Sequence, residues 1–163
     1  MTVINGLPAH VLLVHALVVL APLTAVLAIT CALWPAARRG QLLWLTLILA
    51  VVATILTPIT TEAGEWLYDL RPSADAVLQK HAELGGTMIY FSLALLVVAL
   101  ALVALRFAER REDSRRVLYN AVVAVVAVVV GVASIVQVYR IGDAGAQSVW
   151  GSEIANLTSS GSD

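Results

Sequence analysis

The sequence predicts an all-α integral membrane protein, a four-helix bundle with both termini outside the cytoplasm (N-out/C-out). Three observations carry this. Four stretches, 9–37, 41–61, 84–105 and 117–139, contain no Asp, Glu, Lys or Arg. Each is as long as the ~20 apolar residues, rising ~1.5 Å apiece, that cross a bilayer core. Second, 60% of residues are hydrophobic and 13% charged, against roughly a quarter charged in soluble domains. Third, the arginines sit between particular spans. Arg38 and Arg39 follow the first, and Arg106, Arg110, Arg111, Arg115 and Arg116 separate the third from the fourth. Short arginine-rich loops stay in the cytoplasm, which sends the other ends outward.

One transmembrane domain is expected over residues 1–151, with spans at about 9–36, 42–65, 81–106 and 117–141, and a polar tail at 152–163. Residues 1–8 form a short lead, and Pro8 suits a first helical turn. The lead lacks the basic stretch and cleavage site of a removable signal peptide, so span 1 is read as a retained helix. Pro22 should kink span 1, and Pro58 span 2 near its outer end. Cys31, the only cysteine, reads as a small apolar packer. After Pro72, residues 74–80 could form a short surface helix. In span 4, Ala121, Ala124, Ala127, Gly131 and Ser134 share one face, which allows close helix approach inside the bundle. The serine-rich tail is expected to fray. Trp34 and Trp44 mark the inner edge, Trp66 and Trp150 the outer one, where amphipathic rings settle at headgroup level.

Alternating passes bring the start of span 1, the end of span 2, the start of span 3 and the end of span 4 to one side. These ends carry His10 and His15, Glu62 and Glu65, His81, and Arg140 with Asp143. Ionisable groups at membrane depth are costly and usually face a cavity, partner or ligand. A single such histidine is commonly satisfied by a backbone carbonyl, but the convergence of three with two glutamates and an arginine points to a site. His10 and His15 lie about 140° apart around a helix, so they do not share a face. His10 matches His81 in depth, and a cross-helix imidazole pair is what bis-histidine haem (haem b) requires. Histidines with Glu62 or Glu65 could instead hold a transition metal ion, or form a proton relay. Arg140 could clamp a haem propionate, pair with Glu65, or snorkel at the interface while the nearby glycines end the helix.

The pattern Leu7-Pro8-Ala9-His10, Val14-His15-Ala16 and Leu20-Ala21-Pro22-Leu23 is followed by Ala63-Gly64-Glu65, then His81 with Gly85. Last come Tyr139-Arg140-Ile141-Gly142-Asp143-Ala144-Gly145-Ala146 and Val149-Trp150. Together, over roughly residues 5–151, these resemble the predicted membrane proteins of domain of unknown function 2231. Two positions depart from the pattern: members often read His-Pro where Ala9-His10-Val11 stands, and often carry histidine where Asp143 stands. The resemblance implies a bacterial, often actinobacterial, inner-membrane protein of four helices. Relatives that look like fusions to Rieske iron–sulfur domains imply a respiratory or redox partner.

The leading expectation is therefore an outward-facing His/Glu site that binds haem or a transition metal, serving electron transfer or redox-complex assembly. The alternatives are a non-catalytic accessory or scaffold subunit with a structural polar network, and a small proton-coupled transporter, which would need to homo-oligomerise to line a path. Beyond the bilayer itself, nucleic acid is not an expected partner, because the basic residues belong to the orienting loops. Hydrolase triads and nucleotide-binding glycine loops are absent, and the residues name no reaction.

Overall fold

The computed structural model describes residues 3–4, 6–70, 75–108 and 115–160, apart from the side chains at 4, 152, 156 and 158–160. Arg71, Pro72 and the charged loop at 109–114 lie outside these residues, as does the end of the tail. A two-residue antiparallel ladder, β1 (Val3–Ile4) with β2 (Leu7–Pro8), precedes the helices, with Gly6 at φ +81° in its turn. Then come α1 (Ala9–Leu33), α2 (Pro35–Arg39), α3 (Gln41–Asp69), α4 (Ala76–Gly86), α5 (Met88–Ala108) and α6 (Arg116–Ser160). Four segments are long and apolar enough to span a membrane: α1, α3, α4 with α5, and α6. They pack as a ring, α1 against α3, α3 against α5, α5 against α6 and α6 against α1, while α4 lies mainly on α6.

The sequence builds this bundle with mainly small residues on the inner faces of α1 and α3, while α5 supplies Leu95, Val98 and Leu102 to the core and many large side chains face outward. The buried face of α1 is Ala21, Thr24, Ala25, Ala28, Cys31 and Ala32, and that of α3 includes Ala50, Ala53 and Thr57. Val19, Ile48, Val97 and Val129, among many large side chains, face outward. Lipid tails are as apolar as these residues, so burying them gives no drive; close backbone approach does. The threonine hydroxyls donate to their own helices four residues back, Thr24 to Leu20 O at 2.7 Å and Thr57 to Ala53 O at 2.7 Å. Polar groups thereby enter the core already satisfied.

Of the small stripe of α6, Ala127, Gly131 and Ser134 are buried inside the bundle and Ala124 is half-buried, whereas Ala121 is exposed. A Cβ on Gly131 would lie 2.7 Å from Ile29 Cδ1 and 3.4 Å from the Ala25 carbonyl. Gly131→Leu is expected to destabilise the detergent-solubilised protein by about 1–3 kcal/mol or more through overpacking. Val132→Leu, on the exposed side, should stay within about 0.5 kcal/mol. Thermal melting of the two variants checks the contrast.

Three expectations change. Arg38, expected simply as a charge of the loop after span 1, is 1% exposed and donates to Cys31 O at 3.3 Å and Asn120 Oδ1 at 2.9 Å. It ties the α1–α3 connection to the start of α6. The tail at 152–160 does not fray but continues α6. Gly142 and Gly145 therefore lie within a helix rather than ending one. Span 3 starts earlier than expected, at Ala76 behind an Asp75 cap whose carboxylate accepts from Leu78 N at 2.7 Å, and it is broken at Thr87.

Candidate functional site: a histidine pair over glycine

His10 opens α1 and His81 sits midway along α4, and the alternating passes bring them together. Their ring centroids are 6.2 Å apart with planes at 84°. His10 Nδ1 lies 2.9 Å from the Thr60 carbonyl of α3, and His81 Nδ1 lies 2.9 Å from the Ile141 carbonyl of α6. A carbonyl only accepts, so each Nδ1 carries a proton, and in the neutral ring each Nε2 is then the lone-pair nitrogen. Neither Nε2 has a hydrogen-bond partner among the described residues, and both rings line the adjoining cavity.

The two halves of the chain make this grip in the same way. Four residues after Thr60 stands Gly64, and four after Ile141 stands Gly145. Inside an α-helix, the carbonyl of residue i already accepts from the N–H of i+4. A side chain at i+4 would shield that oxygen from a second donor. A Cβ on Gly64 would stand 2.7 Å from His10 Nδ1, and one on Gly145 would stand 3.0 Å from His81 Cε1. Glycine costs about 1 kcal/mol relative to alanine in a helix, and here it gives each imidazole a seat against the backbone.

The rings border a cavity of about 270 Å³ that is open on one side. Its walls are mostly aliphatic, including Val14, Leu17, Leu78 and Val138. Met88 and Val138 close its inner end, packed on Ala21. Of the hydroxyls around it, Thr57, Thr60 and Thr61 donate to their own helix, and Ser148 donates to Gly145 O at 2.8 Å. Gly85 and Gly86 also line it, and a Cβ on either would meet no atom within 4 Å. The wall thus presents bare backbone to open space, with the two imidazoles, the Glu65 carboxylate and the Tyr68 hydroxyl as polar groups along it.

The helix break shapes this wall. At the end of α4, Thr87 Oγ1 donates back to Leu84 O at 2.7 Å. From α6, Gln137, 4% exposed, donates through Nε2 to Leu84 O at 3.1 Å and to Thr87 Oγ1 at 2.8 Å. Irregular backbone at membrane depth persists where such partners satisfy it beside a cavity. Gln137→Leu is expected to cost about 0.6–2 kcal/mol, the range for interhelical hydrogen bonds in lipid. Faster amide exchange at 84–88 than at 95–102 would locate the loss at the break.

The remaining sequence candidates fall elsewhere. His15 is exposed, and its Nδ1 bonds the Val11 carbonyl of its own helix; the turn that aims His10 at α3 aims His15 away from the cavity. Glu62 is exposed and off the cavity wall, whereas Glu65, one turn on, lines it. Arg140 lies in a second groove with Lys80 and Asp143, on another face of α6, so it reaches neither the histidine pair nor Glu65. Among the described residues no three or more His, Cys, Asp or Glu side chains cluster as a metal set.

A family model described as a predicted membrane protein, domain of unknown function 2231, matches residues 6–158. No curated protein and no solved structure matches the chain.

Proposed function

This chain belongs to the domain of unknown function 2231 family of predicted membrane proteins, and we propose that in this member the paired histidines are axial ligands for b-type haem in electron transfer. The observation that carries the reading is the common state of the two rings, each with Nδ1–H anchored on a helix carbonyl and Nε2 left for a ligand. Metal-bound imidazoles are typically oriented by such an outer hydrogen bond.

The two rings lie 6.2 Å apart and come from different helices to the wall of one cavity. Donor count favours haem over a bare ion: zinc sites take three or four protein ligands, and an axial pair needs two because the porphyrin brings the rest. The apolar walls suit a macrocycle, and the side-chain-free surface at Gly85 and Gly86 suits close approach of a flat ring. Bound there, haem would supply a one-electron couple. His10 and His81 would hold it, the glycines would seat the rings, and the aliphatic wall would restrict water.

If the arginine-rich loops face the cytoplasm of a bacterial inner membrane, the pair lies at the outer rim, within reach of a Rieske-type or other respiratory partner. A second reading has its own support, because rings at 6.2 Å and 84° also suit direct edge-to-face packing. That arrangement would belong to a scaffold subunit. Visible spectra of protein purified from haem-replete cells, with and without dithionite, separate the two. Soret and reduced α-bands of a low-spin haem are expected. A featureless trace, together with no iron by elemental analysis, would leave the scaffold.

A further inference from the structure

We infer that the groove between α4 and α6 is a binding site for a phosphate group, presented by an anionic lipid headgroup or by free phosphate. It is lined by Lys80, Tyr139, Arg140, Asp143 and Gln147, with Val77 and Leu84 among its apolar walls. It lies on a different face of α6 from the histidine cavity, so nothing in it depends on haem.

The charges in the groove are left over from folding. Asp143, three residues from Arg140, accepts instead from Gln147 Nε2 at 2.9 Å. Neither the Lys80 ammonium nor the Arg140 guanidinium has a hydrogen bond or ion pair among the described residues. Two cations and one carboxylate give the groove a net charge of +1. Position adds to this. The uncharged run of α6 ends at Tyr139, and Arg140 is the next charge after Arg116, so the groove stands where the helix leaves the hydrocarbon. Tyr139, 72% exposed, is an aromatic of the kind that anchors at headgroup level. An arginine fork takes phosphate oxygens two at a time, lysine adds a point charge, and basic pockets between membrane helices take anionic headgroups. Val77 and Leu84 offer an apolar surface for the start of an acyl chain.

The test is thermal melting of the full chain in detergent, titrated separately with phosphatidylglycerol, phosphatidylcholine and inorganic phosphate. Phosphatidylglycerol is expected to raise the melting midpoint well above any rise with phosphatidylcholine, and K80Q/R140Q should lose that difference while melting normally without lipid. R140K, which keeps charge but not the fork, should retain part of it. Protection by inorganic phosphate, lost in the same variant, would identify a soluble anion as the source. Equal protection by phosphatidylglycerol and phosphatidylcholine, full protection of K80Q/R140Q, or no protection in any arm would overturn the site. Should K80Q/R140Q fail to fold, the single variants K80Q and R140Q are read by the same criteria.

Discussion

His81→Ala is expected to abolish the low-spin haem spectrum, and His10→Ala to do the same, while His15→Ala leaves it at wild-type intensity. The contrast follows from where one helix aims two histidines. His10 reaches Thr60 on α3, whereas His15 turns back to the Val11 carbonyl of α1 and lies exposed. Either variant would remove one of the two side chains proposed to hold the haem, so weakened retention of at least a hundredfold, about 2.7 kcal/mol, is the scale expected. Spectra normalised to protein concentration, with melting curves to establish folding, check all three variants. Equal loss in His15→Ala would mean that the whole cluster, not the pair, holds the cofactor. Retention in both His10→Ala and His81→Ala would remove the proposed ligands.

Gly64→Ala should be the most damaging single-methyl change at the site, and Gly145→Ala a weaker copy of it. The added carbon on Gly64 would lie 2.7 Å from His10 Nδ1 and 2.8 Å from Cε1, closer than real Cβ contacts come. The ring must move, and its bond to the Thr60 carbonyl goes with it. On Gly145 the corresponding distances to His81 are 3.0 Å and 3.1 Å, which a shift of a few tenths of an ångström relieves. Overpacking of this kind costs about 1–3 kcal/mol, partly offset by alanine's better helix propensity. The measurement that separates seating from simple stability is the spectrum. Gly64→Ala is expected to shift haem toward a high-spin form or lose it at temperatures where the protein is still folded, and Gly145→Ala to remain largely low-spin. If Gly64→Ala melts normally and keeps a wild-type spectrum, the glycine seat has no role in holding the ligand.

Much of the candidate site was legible from the order of the passes. Long uncharged runs force helices, alternate crossings bring His10 and His81 to one end, and helical periodicity separates His10 from His15. Three features were not. Gly64 and Gly145 carried a signal, as glycines retained in helical segments, but the ring that each one seats comes from another helix. Gln137 stood out only as an amide in an apolar span, and its partners lie about fifty residues away. The break at Thr87 had a local cue in Gly85-Gly86, yet a glycine pair in an apolar run permits a continuous helix as readily as an interrupted one.

By itself the sequence determined the four membrane passes and which ends share a side, because length, apolarity and alternation are properties of each segment and its neighbours in order. It also marked the face of the last span on which small residues pack inward. The tertiary structure alone decided which polar groups meet: His15 outward, Arg140 with Lys80 rather than Glu65, Arg38 buried, and the two imidazoles side by side with nearly perpendicular planes. Those outcomes depend on how each helix is rotated about its axis and how closely neighbours approach. In a bundle whose outside is as apolar as its surroundings, rotation is set by the fit of small residues between helices, which no single span contains.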